Sequence, residues 1–424
     1  MDRPRLLVVS HVLPFPGISG QQQRVANTLR GARDQFHITF ATLAPPGGEA
    51  ALREGLAPWC DEVLLLPARY GRGAWGRLAH RVGAGLFVLR TGLKTSNYAL
   101  GSVEFSPGRV LSLVEGRSFD LALFEYFHAS AAATALRNRG IPCVVDTHNV
   151  LWQAFDRQLK TVGWLPAWGR RWAVRRYRQA EEAAWRRFNA LIAITTGEAR
   201  YIRSRIPAAT PLLKACMGID LEAWSRCWAP ATPLRVGYYG GLGSAHNARE
   251  ALRVHEKIMP AVWKKFPKAE YWIVGSKPPP EVQALARDPR VKVTGFVERA
   301  QEVLKSFTVC LCPWEGTYGF RSRLVEIMAV GVPMVASPDA GYGMDFEHGR
   351  GIFFEPDDRR MTLTTLKLLE DPALAAAQSL AARAAVEEHY GFAATYGRLA
   401  RELAGFIPSH RGDGQAPEEL KAAL

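Results

Sequence analysis

Short, continuously apolar runs recur along this 424-residue chain, and helical patterns separate them. RLLVVS, HITFATLA and EVLLLPA come first. A run without polar alternation fits a strand buried on both faces, as in a parallel sheet covered by helices. Strands alternating with helices give that sheet its crossover connections. FDLALFEYF, CVVD and NALIAI continue the pattern in the first half, and LRVGYYG, AEYWIVGS, VKVTGFV, TVCLCP and MVAS in the second. The fold class is therefore α/β, and a chain of this length holds two domains of ordinary size. The segment 221–233, which ends near WAPATP, is the expected linker.

Chemistry concentrates in the stretch 318–333, YGFRSRLVEIMAVGVP. Its pattern predicts a helix over 321–330, stopped by Gly331 and followed at once by the strand MVAS. A helix start carries free N–H groups and partial positive charge, which suits a phosphate. Arg321 and Arg323 in the first turn oppose the helix dipole, and they make sense if an anion arrives between them. Glu326, about one turn deeper, is placed to accept two hydroxyl hydrogen bonds from a ribose. The plainer alternative is a surface helix with ordinary charges. Upstream, Gly240, Gly241 and Gly243 follow a strand and open a helix, so the backbone there can approach a phosphate closely. His148 follows the strand CVVD, in THNVLWQ, read as a loop. Ligands of doubly wound sheets bind at the C-terminal ends of strands. The alternative is a histidine that caps or bridges its loop, and Asp146 and Asn149 are expected to orient that loop.

Charge is unevenly placed. Residues 1–225 carry 29 Lys and Arg against 17 Asp and Glu, and the remainder carries 25 against 23, within a total of +14. Segment 69–94 holds six basic residues and no acid, with Trp75, Leu78, Leu86 and Phe87 interleaved. Segment 157–187 holds nine basic residues against two Glu, with four tryptophans, and Arg171, Arg175 and Arg178 fall on one helical face. Basic helices with aromatic and aliphatic anchors fit an anionic membrane surface. A solvated basic face packed on its own domain is the alternative. No helix-turn-helix, RNA-recognition or zinc-finger pattern occurs, so no nucleic-acid partner is expected. No apolar run is long enough to span a bilayer, and the start of the sequence lacks the pattern of a signal peptide. The six cysteines form no Cys-x-x-Cys pair and read as core thiols rather than a zinc site. No Asp-x-Asp motif occurs, and no metal or other cofactor is expected.

GFRSRLVEIMAVGVPMVAS resembles the donor-binding helix of retaining glycosyltransferases with two Rossmann-like domains, the GT-B fold (glycosyl transferases group 1, family 4-like). In the common pattern Glu-Gly-Phe-Gly precedes four variable residues and Glu-Ala-Met-Ala-x-Gly-x-Pro. Glu326, Met328, Gly331 and Pro333 match it, while Tyr318 stands in place of the first Glu. A variant, Gly-x-Arg-x-Lys-x-x-Glu, is matched by Gly319, Arg321, Arg323 and Glu326, with Arg in the Lys slot. Gly295, Phe296 and Val297 match the segment that contacts the nucleobase. Ser19-Gly20 stands where the family has Gly-Gly beside the donor phosphates and the acceptor. The Arg and Lys that most relatives place after this strand are absent; His246 and Asn247 stand near, as in branches that read Pro-Asn there, which leaves the diphosphate charge to Arg321 and Arg323.

The resemblance implies domains at 1–222 and 234–390, a cleft between them for the donor, and a final helix at about 391–407 that crosses back to the first domain. It implies transfer of a sugar from a nucleotide-diphospho-sugar, with retention. Gly20, Gly240, Gly241, Asn247, Gly295, Phe296, Val297, Gly319, Phe320, Arg321, Arg323 and Glu326 are assigned to the donor, and His148, facing the sugar and the acceptor, is the expected catalytic residue. The basic first half points to a lipid-linked or polysaccharide-precursor acceptor and a peripheral place on the inner face of the cytoplasmic membrane. A sugar-nucleotide epimerase on the same fold and a non-catalytic sugar-nucleotide or polysaccharide-binding module are the alternatives.

Overall fold

A computed structural model describes residues 3–17, 19–71, 73–91, 99–160, 163, 165–316 and 320–407. The chain forms two compact units, one running to Cys216 and resuming at Thr395, the other spanning Met217–Ala394.

The first unit holds seven parallel strands in the order β3-β2-β1-β4-β5-β6-β7. They are β1 (Arg5–Val9), β2 (His37–Ala44), β3 (Glu62–Pro67), β4 (Leu121–Glu125), β5 (Cys143–Asp146), β6 (Ala190–Ala193) and β7 (Leu212–Lys214). Every residue of β4, β5 and β6 is buried, which explains why their sequences show no polar alternation. Burial of one Leu or Phe of this core contributes about 2 kcal/mol, so strand identity is set by the apolar run itself. The helices used below are α1 (Gly20–Ala32), α2 (Ala74–Thr91), α3 (Leu151–Lys160) and α4 (Ala167–Trp185).

The second unit holds six parallel strands in the order β10-β9-β8-β11-β12-β13. They are β8 (Arg235–Tyr239), β9 (Glu270–Val274), β10 (Val291–Gly295), β11 (Val309–Cys312), β12 (Met334–Ala336) and β13 (Ile352–Phe354). Helices α5 (Ala245–Arg253) and α6 (Ser322–Val330) follow β8 and β11. Strand order reverses between β8 and β11, so these two helices leave the sheet at the switch point where α/β proteins bind ligands. Gly331 ends α6 at φ 91°, the left-handed stop its glycine permits.

Three local expectations change. THNVLWQ is not all loop, because α3 begins at Leu151: the buried Glu181 carboxylate accepts the Leu151 and Trp152 N–H groups at 2.9 and 2.8 Å and caps that helix from a distance. Segment 221–233 is not a free linker. Its backbone is spent on the second unit, with Cys227 N–H donating to Val330 (3.2 Å), Ala229 N–H to Lys305 (2.8 Å) and Ala231 N–H to Ser306 (3.0 Å). The last helical stretch is a π-type turn, Ala393–Gly397, followed by α7 (Arg398–Ala404). It packs on α1, where Gly31 leaves no room for a side chain: a Cβ there would lie 2.8 Å from Tyr396 Cβ. No helix among the described residues is long and apolar enough to cross a membrane.

Candidate active site

The turn after β8 is glycine because two other elements crowd it. A Cβ on Gly240 would lie 2.4 Å from Arg323 Nη1, and one on Gly275, beyond the end of β9, would lie 1.8 Å from the Gly240 carbonyl oxygen. The Gly240-Gly241 backbone is thus held as one wall of a cavity of about 460 Å³. Ser244 and Arg321 stand at the N-cap positions just before α5 and α6, and neither caps its helix with a side-chain hydrogen bond. Neither first turn contains an acid. Both residues line the cavity, so two uncapped, positively polarised helix ends open into one space.

Cations stand beside those ends. The Arg321 guanidinium lies 4.8 Å from the centre of the Trp314 ring and donates to the Gly316 carbonyl at 2.6 Å. Arg323 lies 5.0 Å from the same ring. It donates to the Tyr238 hydroxyl (3.1 Å), Asn247 Oδ1 (3.5 Å) and Glu250 Oε2 (2.9 Å). Glu250 Oε2 also accepts from the Tyr238 hydroxyl at 3.0 Å, and Oε1 lies 3.0 Å from His246 Nε2. Burial lowers the Arg323 pKa, but its neighbours Cys312, Tyr238 and Glu250 outweigh burial and hold the guanidinium above its ordinary pKa. On α6, burial pushes the Glu326 carboxyl above its usual range, and hydrogen bonds from Tyr239 and Ser322 pull the other way.

A second group of buried polar side chains lies in the first unit. Glu125 and Asp146 end adjacent strands in register. Arg24, from α1, donates its Nε to both Asp146 oxygens at 3.0 and 2.8 Å and its Nη1 to the Ala215 carbonyl at 2.8 Å. His148 has φ 57°, and its N–H donates to Asp146 Oδ1 at 3.1 Å. Its imidazole pairs through Nε2 with Glu125 Oε2 and stacks on Tyr126, with ring centres 4.1 Å apart. Tyr126 is itself at φ 73°. Two non-glycine residues in left-handed backbone side by side store strain that the packed surroundings must hold. Burial raises the Glu125 pKa against the pull of His148, and burial with the neighbouring His148 lowers His11 to about 4. Glu125, Asp146 and His148 bring ligand-type atoms within 4.8 Å of one another. Asp146 is engaged by Arg24 and Glu125 by His148, so each carboxylate of the group already has a protein partner.

Of the residues assigned to the donor, Gly240, Gly241, Asn247, Phe296, Val297, Phe320, Arg321, Arg323 and Glu326 line the one cavity. Gly295 stands beside it at φ 70°, its carbonyl accepting from Gly275 N–H at 3.2 Å. Gly319, with Tyr318, lies outside the described residues. Gly20 opens α1, where Ser19 and Gln22 form a capping box, so that helix end is satisfied internally, unlike those of α5 and α6. Glu315 is exposed, pairs with Arg253 at 2.6 Å and stands outside the cavity wall. Arg323 departs from the expectation of two open cations, because Glu250 already balances part of its charge. Sequence reasoning missed Glu250, Tyr238, Trp314 and Ser276. The one available signal was the i,i+4 spacing of His246 and Glu250 just after the glycine turn.

The sequence profile described as "Glycosyl transferases group 1" matches residues 233–371, and that described as "Glycosyl transferase 4-like domain" matches 19–213. No curated protein sequence matches the chain. Among solved structures, sucrose-phosphate synthase from Thermosynechococcus elongatus is similar at 16% identity and TM-score 0.61, covering 95% of this chain and 100% of its own. HepE from Anabaena, solved in complex with UDP-glucose, is similar at 16% identity and TM-score 0.59, covering 95% and 99%. TarM is similar at 11% identity and TM-score 0.63, covering 96% and 99%. At these identities the structures show the fold, two Rossmann-like domains of the GT-B kind. The matched profiles cover most of both units and meet the cavity residues derived above, and the chain belongs to the group 1, family 4-like glycosyltransferases.

Proposed function

We propose that the cavity of the second unit binds a nucleotide-diphospho-sugar and that the protein transfers the sugar, with retention of configuration, to a lipid-linked or cell-surface polysaccharide precursor. The observation that carries this reading is the opening of two uncapped helix ends, flanked by Arg321 and Arg323, into the cavity that Glu326 also lines. The diphosphate takes the helix ends and the arginines, the ribose hydroxyls take Glu326, and the base takes the edge formed by Gly295, Phe296 and Val297. Departure of the nucleoside diphosphate builds negative charge on phosphate. Fixed N–H dipoles and guanidinium groups stabilise that charge without a metal ion. The His148 loop of the first unit is the element we assign to the sugar and acceptor. We place the acceptor, and the protein as a peripheral visitor, at the cytoplasmic face of the membrane.

The test is a thermal-shift screen with UDP-, GDP-, ADP- and dTDP-sugars on the wild type and Glu326→Ala, with UDP-glucose first because HepE binds it. One nucleotide is expected to raise the wild-type midpoint by several degrees, with the shift lost in the variant and unchanged by EDTA. No shift with any nucleotide overturns the reading, and a shift abolished by EDTA overturns its metal-free part.

A further inference from the structure

Helix α2 is apolar on the wrong side. Gly83 faces the protein, where a Cβ would lie 2.8 Å from Val103 Cγ1, and the inward His80 pairs with Glu104 at 2.8 Å. Trp75, Leu78, Val82 and Leu86 recur at helical spacing on the outer face, and Trp75 is 84% exposed. Helix α4 lies against α2 and presents Trp168, 72% exposed, and Trp172 on its own outer face. Seven of the eleven exposed large hydrophobic residues among the described ones lie on these helices or, for Tyr70, directly before α2. Their ordinary place would be a core. Arg77 and Arg81 on α2 and Arg171, Arg175 and Arg176 on α4 are all exposed, and the Arg176 guanidinium lies 6.0 Å from the Trp172 ring centre. No acid occurs over 69–94 or 157–180. Arg178, expected on the same face, turns away to Glu182 at 2.7 Å and stacks on Trp152.

We propose that α2 and α4 together form a docking surface for an anionic lipid bilayer, with Trp75, Leu78, Val82, Leu86, Trp168 and Trp172 in the interfacial layer and the arginines at the phosphate level. Trp at the headgroup boundary, aliphatic side chains below it and cations beside it are the composition of helices that lie in the membrane plane. Charge complementarity selects the occupant. A second copy would bring like charge against like charge. A nucleic acid would leave Leu78, Val82 and Leu86 without a partner, since aliphatic side chains neither stack on bases nor pair with phosphate. The surface deepens the peripheral reading above and uses no residue of the donor cavity, so the two can fail separately.

The test is flotation of the full chain with vesicles of phosphatidylcholine alone and of phosphatidylcholine with phosphatidylglycerol, at low and high salt. The wild type is expected to float with the anionic vesicles, to float less in high salt, and to stay behind with phosphatidylcholine alone. Two variants separate the contributions: Trp75→Ser with Leu78→Ser and Val82→Ser, and Arg171→Glu with Arg175→Glu and Arg176→Glu. All six positions are exposed, so both variants keep the wild-type melting point and its nucleotide shift, while each lowers vesicle partition at least about tenfold. Absence of wild-type flotation at low salt overturns the proposal. So does partition of either variant equal to that of the wild type, a salt-sensitive shift with duplex DNA or RNA in place of vesicle binding, or a dimer in solution that the first variant dissociates.

Discussion

Glu250→Gln keeps the shape of a buried side chain and removes its charge. In the wild type that carboxylate accepts from Arg323 at 2.9 Å and from the Tyr238 hydroxyl at 3.0 Å, with the side chains of Arg323 and Glu250 12% and 4% exposed. A charged hydrogen bond lost at such a site costs roughly 2–3 kcal/mol, since the guanidinium keeps its charge and loses its counter-charge. For a unit of this size each kcal/mol is worth roughly 2–4 °C, so its melting point should fall by roughly 5–10 °C. A bound diphosphate then supplies the missing negative charge beside Arg323. The ligand-induced shift should therefore grow in the variant, by about 1–2 kcal/mol over the roughly 2.7 kcal/mol that ligand at about 100 Kd gives the wild type. Calorimetry of both proteins with and without the nucleotide found in the screen measures both numbers. An unchanged melting point refutes the assignment of Glu250 as the counter-charge. A smaller ligand shift in the variant refutes the placement of the diphosphate beside Arg323.

Gly275→Ala should abolish the nucleotide shift while leaving Glu326 intact, because its Cβ would fall 1.8 Å from the Gly240 carbonyl oxygen and must displace the turn; an unchanged shift in the same thermal assay contradicts this. The first unit should lose stability as pH rises above 6.5. Burial raises Glu181 to about 8 and Glu198 to about 7, from an ordinary 4.5, so the folded unit holds protons that the unfolded chain releases. That stability is complete at low pH and is lost as pH passes through those raised values. His11, lowered to about 4, has its own effect below 6.5. Urea unfolding from pH 6.5 to 9 is expected to show a falling midpoint, with a smaller fall in Glu181→Gln; a midpoint that rises over this range refutes it.

Strands were legible because a fully buried parallel strand is written as an uninterrupted apolar run, and β4, β5 and β6 are such runs. The start of α3 was not legible, because its cap comes from Glu181 on another helix, and distant capping leaves no local mark. Much of the lining of the second unit's cavity could be read because Gly240, Gly241, Arg321, Arg323 and Glu326 stand at fixed offsets from strand ends. Glu250 could not, since nothing in NAREAL says that its carboxylate turns toward an arginine over seventy residues away. The same holds for Arg24 and Asp146, which meet across two elements of the first unit. Helix periodicity placed Arg178 on the basic face, and a competing acid, Glu182, removed it.

Tyr396 is 1% exposed and rests on Gly31, and Arg398 donates to the Lys214 carbonyl at 2.9 Å, so the first unit is closed by residues from the far end of the chain. On the ribosome these arrive only after the whole of Met217–Ala394. While Met217–Ala394 emerges, α1 keeps its Gly31 face uncovered, and the partly built first unit must persist without its final helix. The second unit is continuous in sequence. Domains ordinarily fold in the order of their synthesis. In this protein the unit begun first is the one completed last.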